Sequence, residues 1–295
     1  MTRLPLAELE RRCQKPDYRL IGNWMARRVS RPLALRVTWL VLPWGLSAHA
    51  ATGLAALAAA ASAVSFGYGS LSSWLLGAAL LQVWYLLDHV DGQLARFHGA
   101  ASLDGVQLDY LMHHVVNLIV PWGLGFGLAG RPLDATWLVL GLVFSLGLVA
   151  IGLVNDTRYK AFIERLKSLE GELRVVGGAG GRPAPAPPLP RRPLKLAAYT
   201  ARKACEIHVV MNALTIVAAA EWLLDDRAFV IARLYLLLMA PGALIVALAT
   251  IVRLLRAESC EQEFARWYRP ADGHLLSFDG RRWQVLPEGD SGRIE

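Results

Sequence analysis

Apolar residues run in six long blocks along the chain, at 48–69, 71–95, 106–129, 134–157, 206–224 and 228–254. A helix needs about 20 mostly apolar residues to cross roughly 30 Å of hydrocarbon, and each block meets or approaches that length. The pattern predicts six transmembrane helices. Upstream, the stretch "LIGNWMARRVSRPLALRV" within 6–36 interleaves Leu20, Trp24 and Met25 with arginines. Low total hydrophobicity with basic residues on one face predicts one or two amphipathic helices lying in the membrane interface. The segment 177–193, "GGAGGRPAPAPPLPRRP", is a Gly-rich then Pro-rich linker whose composition cannot build a packed core. Beyond Ala257 the chain turns polar, and "HLLSFDGRRWQVL" holds two strand-like runs around Asp279-Gly280, a two-residue hairpin signal. Three parts follow: a juxtamembrane segment 1–47, a transmembrane domain 48–256 and a C-terminal tail 257–295.

Charge orients these helices. With both termini in the cytosol, 28 of the 31 Lys and Arg residues fall on the inner side; only Arg131, Arg227 and Arg233 fall outside. Such asymmetry is the positive-inside signal, and it predicts a multi-pass protein of the cell (inner) membrane. Trp74, Trp137 and Trp222 then fall near the outer interface, where amphipathic rings prefer to lie. The net charge of +7 is accounted for by basic segments facing the anionic inner leaflet and calls for no nucleic-acid partner. Cys13, Cys205 and Cys260 all map to the cytosolic side, so no disulfide framework is expected. Residues 1–36 lack the short apolar core and small-residue cleavage site of a signal peptide.

The second and third blocks carry carboxylates that a lipid-buried helix does not need. On one helix Asp88, Asp91, Gly92 and Ala95 share a face; on the next, Gly105, Asp109, His113 and Asn117 recur every fourth residue. The short connection 97–104 makes the two helices antiparallel neighbours, so two carboxylates face a third with an imidazole one turn deeper. Three acids at a membrane boundary repel one another and pay for desolvation unless a cation sits among them. Oxygen ligands favour Mg²⁺, which is held by a few carboxylates together with substrate phosphates. The residues describe a metal-loaded, glycine-lined cleft suited to a pyrophosphate.

The run D88HVD91G92QLA95R96, eight further residues, then G105VQLD109YLMH113 resembles the signature of the CDP-alcohol phosphotransferase family, D-x2-D-G-x2-A-R followed by G-x3-D-x3-D. Seven of its eight fixed positions are present at the right spacing. The resemblance implies an all-α integral membrane enzyme of phospholipid biosynthesis, with six helices around a polar cleft open to the cytosol, working as a homodimer among membrane lipids. It implies transfer of a substituted phosphoryl group from a CDP-alcohol, foremost CDP-diacylglycerol, to a hydroxyl acceptor with release of CMP. It implies that Asp88, Asp91 and Asp109 hold one or two divalent ions, Mg²⁺ or Mn²⁺. Gly92, Ala95 and Gly105 would serve the nucleotide and substrate, and Arg96 would secure the helix end or the substrate.

Two positions depart from the pattern. His113 stands where the family has its fourth acid, the proposed general base and metal contact. An imidazole can take a proton from an alcohol near neutral pH, and its nitrogen suits Mn²⁺ better than Mg²⁺. His113 is therefore read as base and ligand, beside Asp109. In the first block the family's Pro-Asn-x-x-Thr is replaced by Ala48-His49-Ala-Ala-Thr52, which keeps only Thr52 as a nucleotide contact. Arg158, Arg202 and Lys203 form a basic group that either receives an acceptor phosphate or anchors to lipid headgroups. Two readings compete with the enzyme: a catalytically impaired relative serving as a membrane scaffold, and a cation transporter. The acids cluster at one membrane face instead of stepping through it, which disfavours the transporter.

Overall fold

The computed structural model describes residues 4–15, 18–175 and 189–287. They fall into two compact units, one built on residues 1–149 and 185–246, the other on 150–184 and 247–295. Most of the linker expected at 177–193 lies outside the described residues.

Five helices are long and apolar enough to cross a membrane: α3 (Ala48–Tyr68), α4 (Leu71–Phe97), α5 (Leu103–Ala129), α6 (Ala135–Lys167) and α9 (Val230–Ala257). The protein is thus mostly helical and has the helices of a multi-pass membrane protein. The block expected at 206–224 forms α8 (Ile207–Leu223), whose 17 residues fall short of a full span. It is bent by 76° from the preceding α7 (Pro193–Ala204), and the pair is long and apolar enough only when taken together. The break has a local cause. Glu206 adopts an extended conformation ahead of α8, and its carboxylate pairs with Lys203 Nζ at 2.6 Å, so the polar stretch before α8 is tied up outside the apolar helix.

Within the first unit, small residues let backbones approach closely, the usual device where lipid supplies no hydrophobic drive between helices. A Cβ on Gly127 of α5 would lie 2.0 Å from the Phe66 carbonyl oxygen of α3, and one on Gly123 would lie 2.3 Å from that of Ala63. Between α3 and α4, Ser62 Oγ donates to the Gly77 carbonyl at 2.7 Å, and Trp74 Nε1 donates to Phe66 O at 2.9 Å. Trp74 and Trp137 are therefore buried, where the sequence suggested interfacial rings; Trp222 is half exposed. The indole N–H of Trp74 has a carbonyl partner inside the bundle, and the Arg233 guanidinium covers the Trp137 ring at 4.5 Å.

The N-terminal segment forms two helices, within the expectation of one or two. α1 (Leu6–Cys13) and α2 (Arg31–Val41) are separate, with a π-helical turn (Ala26–Ser30) leading into α2. Leu9 and Cys13 of α1 are buried with Leu35 of α2 against Phe97, while Ala34 is buried with Ala51, Val90 and Leu94. A buried polar pair, Thr38 Oγ1 to Gln93 Oε1 at 2.9 Å, joins α2 to α4. Leu20, Trp24, Leu33 and Trp44 remain exposed, and these are the apolar residues the interfacial reading needs.

In the second unit α6 continues past the expected end at 157 to Lys167, because Phe162 is buried against Phe264 of α10 (Ser259–Trp267). Strands form here, including the two runs expected in the tail. β1 (Leu169–Glu170) runs parallel to β5 (Trp283–Pro287), which pairs antiparallel with β4 (His274–Phe278); β2 (Arg174–Val175) pairs with β3 (Tyr268–Arg269). The β4–β5 turn has four residues, 279–282, because Phe278 pairs with Trp283, not the two suggested by Asp279-Gly280. Asp279 closes it by accepting from the amides of Arg281 and Arg282 at 2.7 and 2.8 Å. The Arg165 guanidinium lies over Trp283 at 3.9 Å and over Phe264 at 4.7 Å, and it pairs with Glu261.

Candidate active site

The last turns of α4 and the first turns of α5 carry the acids. Ser102 caps α5 by accepting from the Gly105 amide at 3.1 Å, which fixes where the Gly105–Asp109–His113 stripe begins. The chain between the helices is short, with Gly99 at φ +63°, a conformation that disfavours a side chain. α4 and α5 therefore meet with their motif faces across a cavity of about 420 Å³. Thr52, Asp88, Asp91, Gly92, Ala95, Arg96, Gly105 and Asp109 all line it.

The tightest group is not the three aspartates. Carboxylate oxygens of Asp88 and Asp109 and a ring nitrogen of His113 lie within 4.8 Å of one another. His113 Nδ1 is 3.3 Å from Asp109 Oδ1 and 4.0 Å from Asp88 Oδ1. It is also 2.9 Å from the Asp109 carbonyl oxygen, which can only accept, so the neutral ring carries its proton on Nδ1 and leaves Nε2 with the lone pair. Trp84, itself buried, packs edge-on against the ring at 5.5 Å. Asp91 is held to one side: its Oδ2 accepts from Thr52 Oγ1 at 2.7 Å. An oxygen-rich set with one imidazole fits a divalent cation, and the fit rests on Asp88, Asp109 and His113 with Asp91 on the same wall.

Arg96 lines the cavity and is tied to the N-terminal segment. Its Nε donates to the Cys13 carbonyl, and the guanidinium packs where a Cβ on Gly92 would stand, 3.3 Å from Nη1. Gly92 thus gives room to Arg96 as well as to the cavity. Of the basic residues Arg158, Arg202 and Lys203, the first belongs to a different unit from the other two. Arg158 belongs to the second unit and pairs with Glu263, while Lys203 of α7 pairs with Glu206. Arg202 is exposed on α7.

Sequence reasoning missed the residues that close the cavity from the N-terminal side: Gln14, Lys15, Tyr18 and Arg31, together with His49 and His89. His49 was visible as a departure from the first-span motif. His89 sits within the motif run itself, whereas Gln14, Lys15, Tyr18 and Arg31 come from chain remote from it, and no local periodicity marks them.

The family model for CDP-alcohol phosphatidyltransferase matches residues 41–167. Over that segment the chain is similar to the CDP-alcohol phosphatidyltransferase family. Its motif helices α4 and α5 lie wholly inside the matched segment, and the N-terminal residues that line the cavity lie outside it. Among solved structures, the phosphatidylinositol phosphate synthase of Mycobacterium tuberculosis with CDP-DAG bound is similar at 20% identity, over 80% of this chain and 91% of that one, with a TM-score of 0.44. The same synthase in complex with manganese and citrate is 19% identical over 77% and 88%, with a TM-score of 0.46. No curated protein matches by sequence. The CDP-alcohol phosphatidyltransferase family supports a transferase acting in phospholipid synthesis.

Proposed function

We propose that the protein transfers a phosphatidyl-type group from CDP-diacylglycerol to a hydroxyl acceptor and releases CMP, at the cytosolic face of the inner membrane. The observation that carries this reading is the convergence of Asp88, Asp109 and His113 within 4.8 Å at the edge of a cavity lined by the rest of the motif, inside the segment that matches the family.

A divalent cation held by Asp88, Asp91, Asp109 and His113 would neutralise the diphosphate and the charge that develops as CMP leaves. The chain's own residues do the remainder. Thr52 fixes the Asp91 carboxylate by hydrogen bonding to one oxygen and leaves the other unengaged by it. The Asp109 carbonyl holds the His113 tautomer, so Nε2 carries the ring's one lone pair, which can ligate the cation or accept the acceptor's hydroxyl proton but not both at once. Gly92 and Gly105 keep the cavity wall low where the nucleotide must approach. Six spans and homodimerisation belong to the same reading.

The test is CMP release by purified protein in detergent, with CDP-diacylglycerol and pooled hydroxyl acceptors, in Mg²⁺ and in Mn²⁺. Metal-dependent CMP that disappears in Asp91→Asn is the expected result. Absence of CMP in both metals with a panel of CDP-alcohol donors would overturn the reading.

A further inference from the structure

The cavity is bounded by acids on one side and by an N-terminal segment on the other, and that segment is pinned at several points. Arg96 of α4 donates to the Cys13 carbonyl. Arg31 Nη1 donates to the Tyr18 and Ile21 carbonyls at 2.6 and 2.8 Å. Trp39 Nε1 donates to the Leu4 carbonyl at 2.8 Å, and Leu9 and Cys13 are buried beneath Leu35. Neither Arg31 nor Arg96 forms an ion pair among the described residues; each spends its donors on backbone carbonyls, as a peg would. Their shared effect is to hold residues 13–15 and 18–21 at the cavity rim.

Lys15 is the cation this arrangement delivers. It lines the cavity, and its ammonium is close enough to Asp88, Asp109, Arg31 and Arg96 to feel all four electrostatically. Among the described residues no carboxylate forms an ion pair with it. Two fixed guanidinium groups and one mobile ammonium therefore face the same space, and a doubly charged anion there would complete the set. A compact ammonium on a flexible stem binds phosphate as a point charge and can follow it.

We propose that Lys15, held at the rim by the Arg96 and Arg31 pegs, binds the diphosphate of the cytidine nucleotide in the cavity, on the side opposite the acids. Lys15 is then a substrate-binding residue supplied from outside the family-matched segment, and the pegs are positioning residues. The inference rests on the nucleotide-dependent reading of the site given above.

The experiment is direct binding, without turnover, of CDP and of cytidine to the full-length protein in detergent with Mn²⁺, by calorimetry. The variants are Lys15→Met and Lys15→Arg. Loss of one charge-assisted contact is expected to weaken CDP about tenfold or more in Lys15→Met. Lys15→Arg should recover most of it, and cytidine binding should not change. A Lys15→Met protein that binds CDP as the wild type does overturns the role of Lys15 and leaves the nucleotide reading standing. An equal loss for CDP and cytidine also overturns it, because Lys15 would then be shaping the cavity without meeting the phosphates. Wild-type protein that binds neither ligand overturns the nucleotide reading and this inference together. Arg31→Lys keeps the charge and breaks the two-carbonyl peg; it should reduce CDP affinity and leave cytidine unchanged, and unchanged CDP affinity would remove the positioning role.

Discussion

Thr52 and His113 show how single side chains set the chemistry of the site. The Thr52 hydroxyl is 2.7 Å from Asp91 Oδ2, and Thr52→Val replaces that donor with a methyl group of similar shape. The carboxylate then loses a hydrogen bond worth about 1.5–3 kcal/mol to a charged group. The metal concentration for half-maximal CMP release is expected to rise about tenfold, measured by titrating Mg²⁺ or Mn²⁺ into the variant. His113→Ala removes both the ring nitrogen near Asp88 and Asp109 and the proposed base; a loss of about a hundredfold or more in turnover is expected. His113→Asp restores the family's fourth acid and is expected to keep activity while moving the preference toward Mg²⁺. Steady-state rates in the two metals check both. The motif made Asp88, Asp91, Asp109 and His113 legible in the sequence because helical spacing alone aligns them. It did not show that Asp91 turns to Thr52 while His113 closes on Asp88 and Asp109. That choice depends on a contact between α3 and α4 that no spacing within one helix encodes.

At the scale of elements, α5 is the helix whose position everything else at the site depends on, and α3 sets that position. Gly127 lies against the Phe66 carbonyl so closely that any Cβ would stand 2.0 Å from it. Gly127→Ala therefore forces the two backbones apart, at a cost of about 1–3 kcal/mol, and is expected to lower the melting temperature in detergent. Gly242→Ala on α9 has nothing within 4 Å and is the matched control, expected to be neutral. Thermal unfolding of both variants followed by size-exclusion chromatography decides the matter. Most spans were legible as apolar blocks, with ends right to within a few residues for α3, α4 and α5. The α7–α8 break was not, since Glu206 and Lys203 look from sequence like any polar flank, and only their pairing shows that the helix stops there. The run of α6 to Lys167 was missed for the opposite reason: Arg158 to Lys167 read as polar connection until Phe162 finds Phe264.

For the whole molecule, the proposed orientation, with both termini in the cytosol, puts 28 cationic side chains on one side against 3 on the other. Reporter fusions active only in the cytosol, placed after Phe97 and at Glu295, are expected to work; a fusion in the 130–134 connection is expected to be silent. A working reporter at 130–134 would reverse the assigned sides. The hydrogen bonds from Arg96 and Arg31 to segments far away in the chain were illegible, because an arginine bound for a distant carbonyl looks like any basic residue. The cavity holds about 420 Å³, within the range of pockets that enclose a drug-sized ligand and too little for two acyl chains as well. A lipid donor would therefore present only its head to the enzyme and leave its hydrocarbon in the bilayer. Encounter then happens in two dimensions, and turnover follows the mole fraction of donor in the membrane instead of its amount per litre, so blending inert lipid into the vesicles slows the reaction even though no donor has been removed.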